Sequence, residues 1–143
     1  MDPITVIGLV GTATSILTRT STLITTLHGL TQRFRDAERS IQQVASRLQL
    51  FQETMNELNS YLQNASLVSD RVRTTLRISF IVCEDDLLEI ERRAAKVNRG
   101  VSGRLNILTR VKHVWSAEAV TECERRLNMQ VDMMKRYIEL VRL

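Results

Sequence analysis

Apolar positions recur along the chain at steps of three and four, which is the spacing of one face of an α-helix. Four such runs can be traced. The first is Leu9, Ala13, Ile16, Thr20, Leu23, Leu27 and Leu30, and the second is Phe34, Ala37, Ile41, Val44, Leu48, Phe51, Met55, Leu58 and Leu62. The third runs through Leu76, Phe80, Cys83, Leu87, Ile90, Ala94 and Val97, and the fourth through Val120, Cys123, Leu127, Val131, Met134, Ile138 and Val141. No segment shows the period of two that a half-buried strand requires. One Pro and five Gly leave few turns in 143 residues, so the pattern predicts an all-α protein.

The ends of the runs carry their own signals. Asp2 and Pro3 start the first helix, as cap and first-turn residue, and it is expected to end near His28 or Gly29. The second spans about Arg33 to Gln63. Asn64 to Ser69 reads as a loop in which Ser66 or Ser69 caps the third helix and Asp70 meets its dipole. Gly100 is a left-handed stop and Gly103 loosens the turn after it. A short helix from Arg104 to about Val114 follows. Ser116 then caps the last helix, with Glu118 in its first turn and Trp115 and Val120 at hydrophobic-staple spacing. Tyr137 to Leu143 holds no stop signal, so the chain is expected to continue into something longer. Four helices of roughly 26 to 30 residues with short loops predict a single domain over 1–143. Its expected architecture is an up-down-up-down four-helix bundle with a short extra helix before the last long one.

Composition sets the first helix apart. From Pro3 to Gln32 its only full charge is Arg19, and half its positions are β-branched. Ile, Val and Thr lose rotamer freedom in a helix, so packing or lipid has to hold it. The face opposite its core stripe carries Ile4, Ile7, Gly8, Gly11, Thr14, Ser15 and Thr18, where a solvated helix would carry Lys and Glu. Gly8 and Gly11, with Thr12 and Ser15, form small-xxx-small spacings that permit close helix approach in an oligomer or a membrane. Thr hydroxyls can bond the carbonyl one turn back and so hide their polarity. The uncharged run from Pro3 to Thr18 nevertheless falls short of the roughly 20 apolar residues of a spanning helix. The helix reads as bundle core first and membrane anchor later. Its inserting residues are expected to be Ile4, Val6, Ile7, Gly8, Leu9, Val10, Gly11, Ile16 and Leu17.

The formal net charge of +4 is uneven. Acidic and basic residues balance up to Gln63, whereas from Val101 to Leu143 eight basic residues face five acidic ones. Among Arg104, Arg110, Lys112, Arg125, Arg126, Lys135, Arg136 and Arg142, the four at Arg125, Arg126, Lys135 and Arg136 are the expected contacts for anionic lipid. With aromatics at 4%, little is available to stack bases, so no nucleic-acid partner is expected.

No catalytic or cofactor site is legible. His28 and His113 are single residues far apart, and both read as surface. Glu84, Asp85, Asp86, Glu89 and Glu91 lack the Gly-turned loop of a calcium site and read as a solvated face pairing with Arg92, Arg93 or Lys96. Phosphate-binding glycine motifs are missing. Cys83 and Cys123 fall on core stripes, so neither a disulfide framework nor a metal site is expected, and both thiols should react slowly. That cysteine pattern reads as intracellular, and no signal peptide is expected, since a basic segment and a small-residue cleavage site are both missing near Met1.

Three stretches carry a resemblance: MDPITVIGLVGTATSILTRTSTLITTLHGL, RSIQQVASRLQLFQETMNELNSYL and VKHVWSAEAVTECERRLNMQVDMMKRYIELV. Together they resemble the HeLo-like domain, the fungal N-terminal domain of STAND (NOD-like, NLR) receptors and ankyrin-repeat proteins. That domain is similar to the four-helix bundle of mixed-lineage kinase domain-like necroptosis proteins and to the HeLo domain of heterokaryon-incompatibility toxins. The resemblance implies a non-enzymatic module of fungal innate immunity, set before a nucleotide-binding or repeat module. It implies homo-oligomerisation on activation, movement from cytoplasm to plasma membrane, pore-forming permeabilisation and programmed cell death. The alternative is a non-lytic signalling or scaffold bundle that recruits protein partners.

Overall fold

The computed structural model describes residues 3–33, 38–65, 68–98 and 104–142. They form α1 (Pro3–Arg33), α2 (Glu38–Asn64), α3 (Asp70–Asn98), α4 (Arg104–Val114) and α5 (Ala117–Arg142), with no strand among the described residues. Four helices are long and one is short, as the four runs and the 104–114 segment predict.

The starts of α3 and α5 follow their capping residues. Ser69 Oγ accepts from the Val72 amide at 3.2 Å and its carbonyl takes the Arg73 amide at 2.9 Å. Ser116 repeats the arrangement with the amides of Ala119 (3.2 Å) and Val120 (2.9 Å). Each cap satisfies amides that have no partner in the first turn. Two boundaries differ from the sequence reading. Gly29 does not stop α1, which continues to Arg33 because Leu30 and Thr31 are buried in the bundle and the Thr31 hydroxyl bonds the His28 carbonyl at 2.7 Å. Arg33 therefore closes α1 instead of opening α2. Asp2, Phe34, Ala37, Ser66, Gly100 and Gly103 lie outside the described residues.

The four stripes meet in one core. Every described stripe position except Val141 is buried; Leu48, Met55, Leu58, Leu62, Leu76 and Met134 have no exposed surface. α2 packs extensively on α1 and on α5, while α3 touches α1 and α5 over smaller areas and α4 rests on α3. Helices α2 and α3, consecutive in sequence, are not close neighbours: each packs on α1 and α5 instead. Contacts between α3 and α5 run in opposite senses: Ser79 meets Tyr137 at 2.9 Å, Cys83 meets Gln130 at 3.3 Å, and Asp86 meets Arg126 at 3.5 Å. Those between α1 and α3 run in the same sense, with Gly8 and Thr12 beside Arg77 and Phe80, and Thr22 and Thr26 beside Glu91 and Ala95. Arg93 donates to the Val114 carbonyl at 3.0 Å and fastens the end of α4 to α3.

Candidate functional site

The uncharged outer side of α1 is solvent-exposed. Ile7 is 70% exposed, and Gly8, Gly11, Thr14, Ser15 and Thr18 are exposed beside it. Leu9 and Ile16 are buried, at 3% and 1%, and Val6, Val10 and Leu17 are half-buried. The side chain of Ile4 lies outside the described residues. The expected inserting set is thus split between an outer face and a core face of one helix, and Leu9 and Ile16 reach lipid only if α1 leaves the bundle.

Hydroxyl chemistry explains how such a helix persists. Thr12, Thr14, Thr18, Thr22 and Thr26 each donate to the carbonyl four residues back, at 2.8 to 3.1 Å. Buried Thr20 does the same to Ile16 at 2.7 Å. The hydroxyl proton is used inside the helix, which lowers the cost of contact with an apolar phase. A methyl at Gly8 or Gly11 would meet nothing within 4 Å, so the bundle itself does not require glycine at either position.

One polar clasp ties this helix to α3. Arg19 donates from Nε (3.1 Å) and Nη2 (2.5 Å) to Glu91 Oε1, and Nη1 lies 3.8 Å from Glu84 Oε2. A recess of about 390 Å³ flanks the clasp on the side of Thr22, Thr26 and Ala95, and one of about 340 Å³ on the side of Gly8, Thr12 and Ile81. On the other side, Gln52 of α2 donates to Ser21 at 2.5 Å. Sequence reasoning noted Arg19 as a lone charge but did not find its partners. The available signal was Glu84 and Glu91, seven residues apart and so on one side of α3.

The carboxylate run corrects in the same way. Only Glu89 with Arg93, at 3.2 Å, pairs within the helix as expected. Glu84 and Glu91 reach α1, and Asp86 is buried against α5, where Gln130 Nε2 donates to it at 3.2 Å and Arg126 lies at 3.5 Å. Burial holds the Asp86 carboxyl above its usual range, against the opposing pull of Gln130 and Arg126. It also pushes the neighbouring Cys83 thiol up to about 12, with Asp86 and Glu84 adding to the effect. The Cys123 thiol is raised as well, mainly by burial. Both cysteines are free, buried and poor nucleophiles in the folded chain.

The four expected lipid contacts are not equivalent. Arg125 and Arg126 both bind Glu122, at 2.6 and 2.9 Å, and hold its carboxyl down at about 2. Lys135 and Arg136 are exposed and make no ion pair among the described residues. The unpaired charge available to an anionic surface on this stretch of α5 therefore sits at Lys135 and Arg136.

His28 and His113 are exposed. No group of three His, Cys, Asp or Glu side chains is placed to hold a metal ion, and no helix is long and apolar enough to cross a membrane, among the described residues. No known protein-family model, curated protein or solved structure matches the chain.

Proposed function

We propose that this chain is a non-enzymatic, membrane-directed effector domain of the HeLo-like kind, in which α1 is released from the bundle and enters the bilayer. In this reading the four long helices alternate up-down-up-down, as the opposite senses of α3 and α5 and the shared sense of α1 and α3 support. The carrying observation is the outer face of α1, where Ile7 is 70% exposed and the hydroxyls of Thr14 and Thr18 are spent on backbone carbonyls. Because α1 does not reach the apolarity of a lone span, permeabilisation proceeds through association of several copies. Lys135 and Arg136 favour anionic lipid at the cytoplasmic leaflet. Cell death follows from leakage, under the control of modules elsewhere in the same protein.

The test is dye release from anionic liposomes. Ile7→Glu places a charge on the outer face, where the fold tolerates it, but in lipid that charge costs about 2.5–3.5 kcal/mol near the bilayer centre. Leakage is expected to fall at least about tenfold with the melting temperature nearly unchanged. Ile16→Glu, at 1% exposure, should unfold the domain instead. Full leakage by folded Ile7→Glu would remove α1 as the inserting element and leave the scaffold reading.

A further inference from the structure

Four of the seven large exposed hydrophobic side chains among the described residues sit on one helix, α3: Ile78 at 58%, Ile81 at 54%, Val82 at 42% and Leu88 at 39%. They lie on the side of α3 away from its buried stripe. Ile78, Ile81, Asp85 and Leu88 follow steps of three, four and three, which is the seam spacing of a helix that packs against another helix. The charges beside this seam have a definite order. Arg77 precedes Ile81 by four residues and Asp85 follows it by four, each about 6 Å along the axis. Both are exposed, and neither makes an ion pair within the chain among the described residues.

Such an arrangement complements itself in one orientation. If a second copy of α3 lies antiparallel with Ile81 near the two-fold axis, Ile78, Ile81 and Val82 of the two copies cover one another. Arg77 of each copy then stands opposite Asp85 of the other. A parallel pairing would instead set Arg77 against Arg77. We propose that the outer face of α3 is a self-association surface that joins two copies of this chain as an antiparallel, two-fold dimer. An isologous contact of this kind uses the same patch twice and closes on itself. One helix against one helix buries less than the about 1,200 Å² of a standard interface, so the dimer is concentration-dependent. It requires no lipid, and Ile7 is not among its contact residues.

Sedimentation velocity of the chain without lipid, from micromolar to submillimolar concentration, reads the dimer directly. Ile81→Asp is expected to raise the dissociation constant at least about tenfold with helical content unchanged. Arg77→Glu and Asp85→Arg should each weaken the dimer, and the two combined should restore it, because the swap recreates both pairs. Ile7→Glu should dimerise like the parent, so loss of leakage and loss of dimer are separate results. A monomer at every concentration, a dimer indifferent to Ile81→Asp, or a double variant no stronger than the singles would overturn the proposal.

Discussion

At the scale of single residues, the polar side chains on the facing sides of α3 and α5 act between helices. Asp86 is 8% exposed and sits between Cys83, Gln130 and Arg126. Its carboxyl titrates above the usual range because burial penalises the anion more than its partners stabilise it. The ionised form is therefore less favourable folded than unfolded: the penalty is present at neutral pH and disappears as pH falls through the raised value. Asp86→Asn keeps an acceptor for Gln130 without the charge, so at pH 7 it should melt at or above the parent, with the difference shrinking toward pH 4. Glu122 carries the opposite sign. Held at about 2 by Arg125 and Arg126, it stabilises above its unfolded range near 4.5, and that contribution is lost as pH falls from there toward about 2. Thermal melts of the parent, Asp86→Asn and Glu122→Gln across pH 2–7 check both signs. A parent that outmelts Asp86→Asn at pH 7 would contradict the first.

At the scale of elements, α1 and α2 are stabilised by different means. The Gln, Glu, Leu and Met of α2 favour a helix intrinsically, whereas α1 combines β-branched residues with three glycines, Gly8, Gly11 and Gly29. Packing of Leu9, Ala13, Ile16, Leu23 and Leu27 has to offset that deficit. Gly8 and Gly11 are exposed within the helix, and a methyl at either meets open space. Changing each to Ala should stabilise the domain by about 0.5–1 kcal/mol, through reduced freedom of the unfolded chain. Denaturant titration reads the change. A loss of stability would mean that these positions pack against something in the folded chain. If close helix approach at Gly8 and Gly11 is used in the membrane, the same variant should leak less while melting higher.

Across the whole molecule, the core is one cluster to which all four long helices contribute. Leu48 is fully buried on α2, the helix that packs against both α1 and α5. Leu48→Ala should cost about 2–5 kcal/mol, depending on how far the cavity collapses. Equilibrium unfolding measures it, and a cost below about 1 kcal/mol would show that the centre is loosely packed. The Arg19 clasp should weigh far less. Its side chain and that of Glu91 are 30% and 38% exposed, and solvent screening limits such a pair to about 1 kcal/mol. α1 is thus held chiefly by its apolar stripe against α2, and its side toward α3 is fastened lightly.

The number of helices, the buried stripes, the short α4 and the cap at Ser116 were determined by the sequence alone, which also offered Ser69 as one of two caps for α3. Each depends on residues within one or two turns of each other, where period and side-chain chemistry act directly. The exposed, uncharged face of α1 was legible for the same reason. The end of α1 was not, because Gly29 signals a stop locally and burial of Leu30 and Thr31 by other helices overrides it. Nor were the partners of Arg19 and Asp86, which lie 40 or more residues away in sequence. The outward apolar side of α3 also emerged only in three dimensions. A helical wheel separates two apolar sides of a helix, but only the assembled bundle decides which one its neighbours cover.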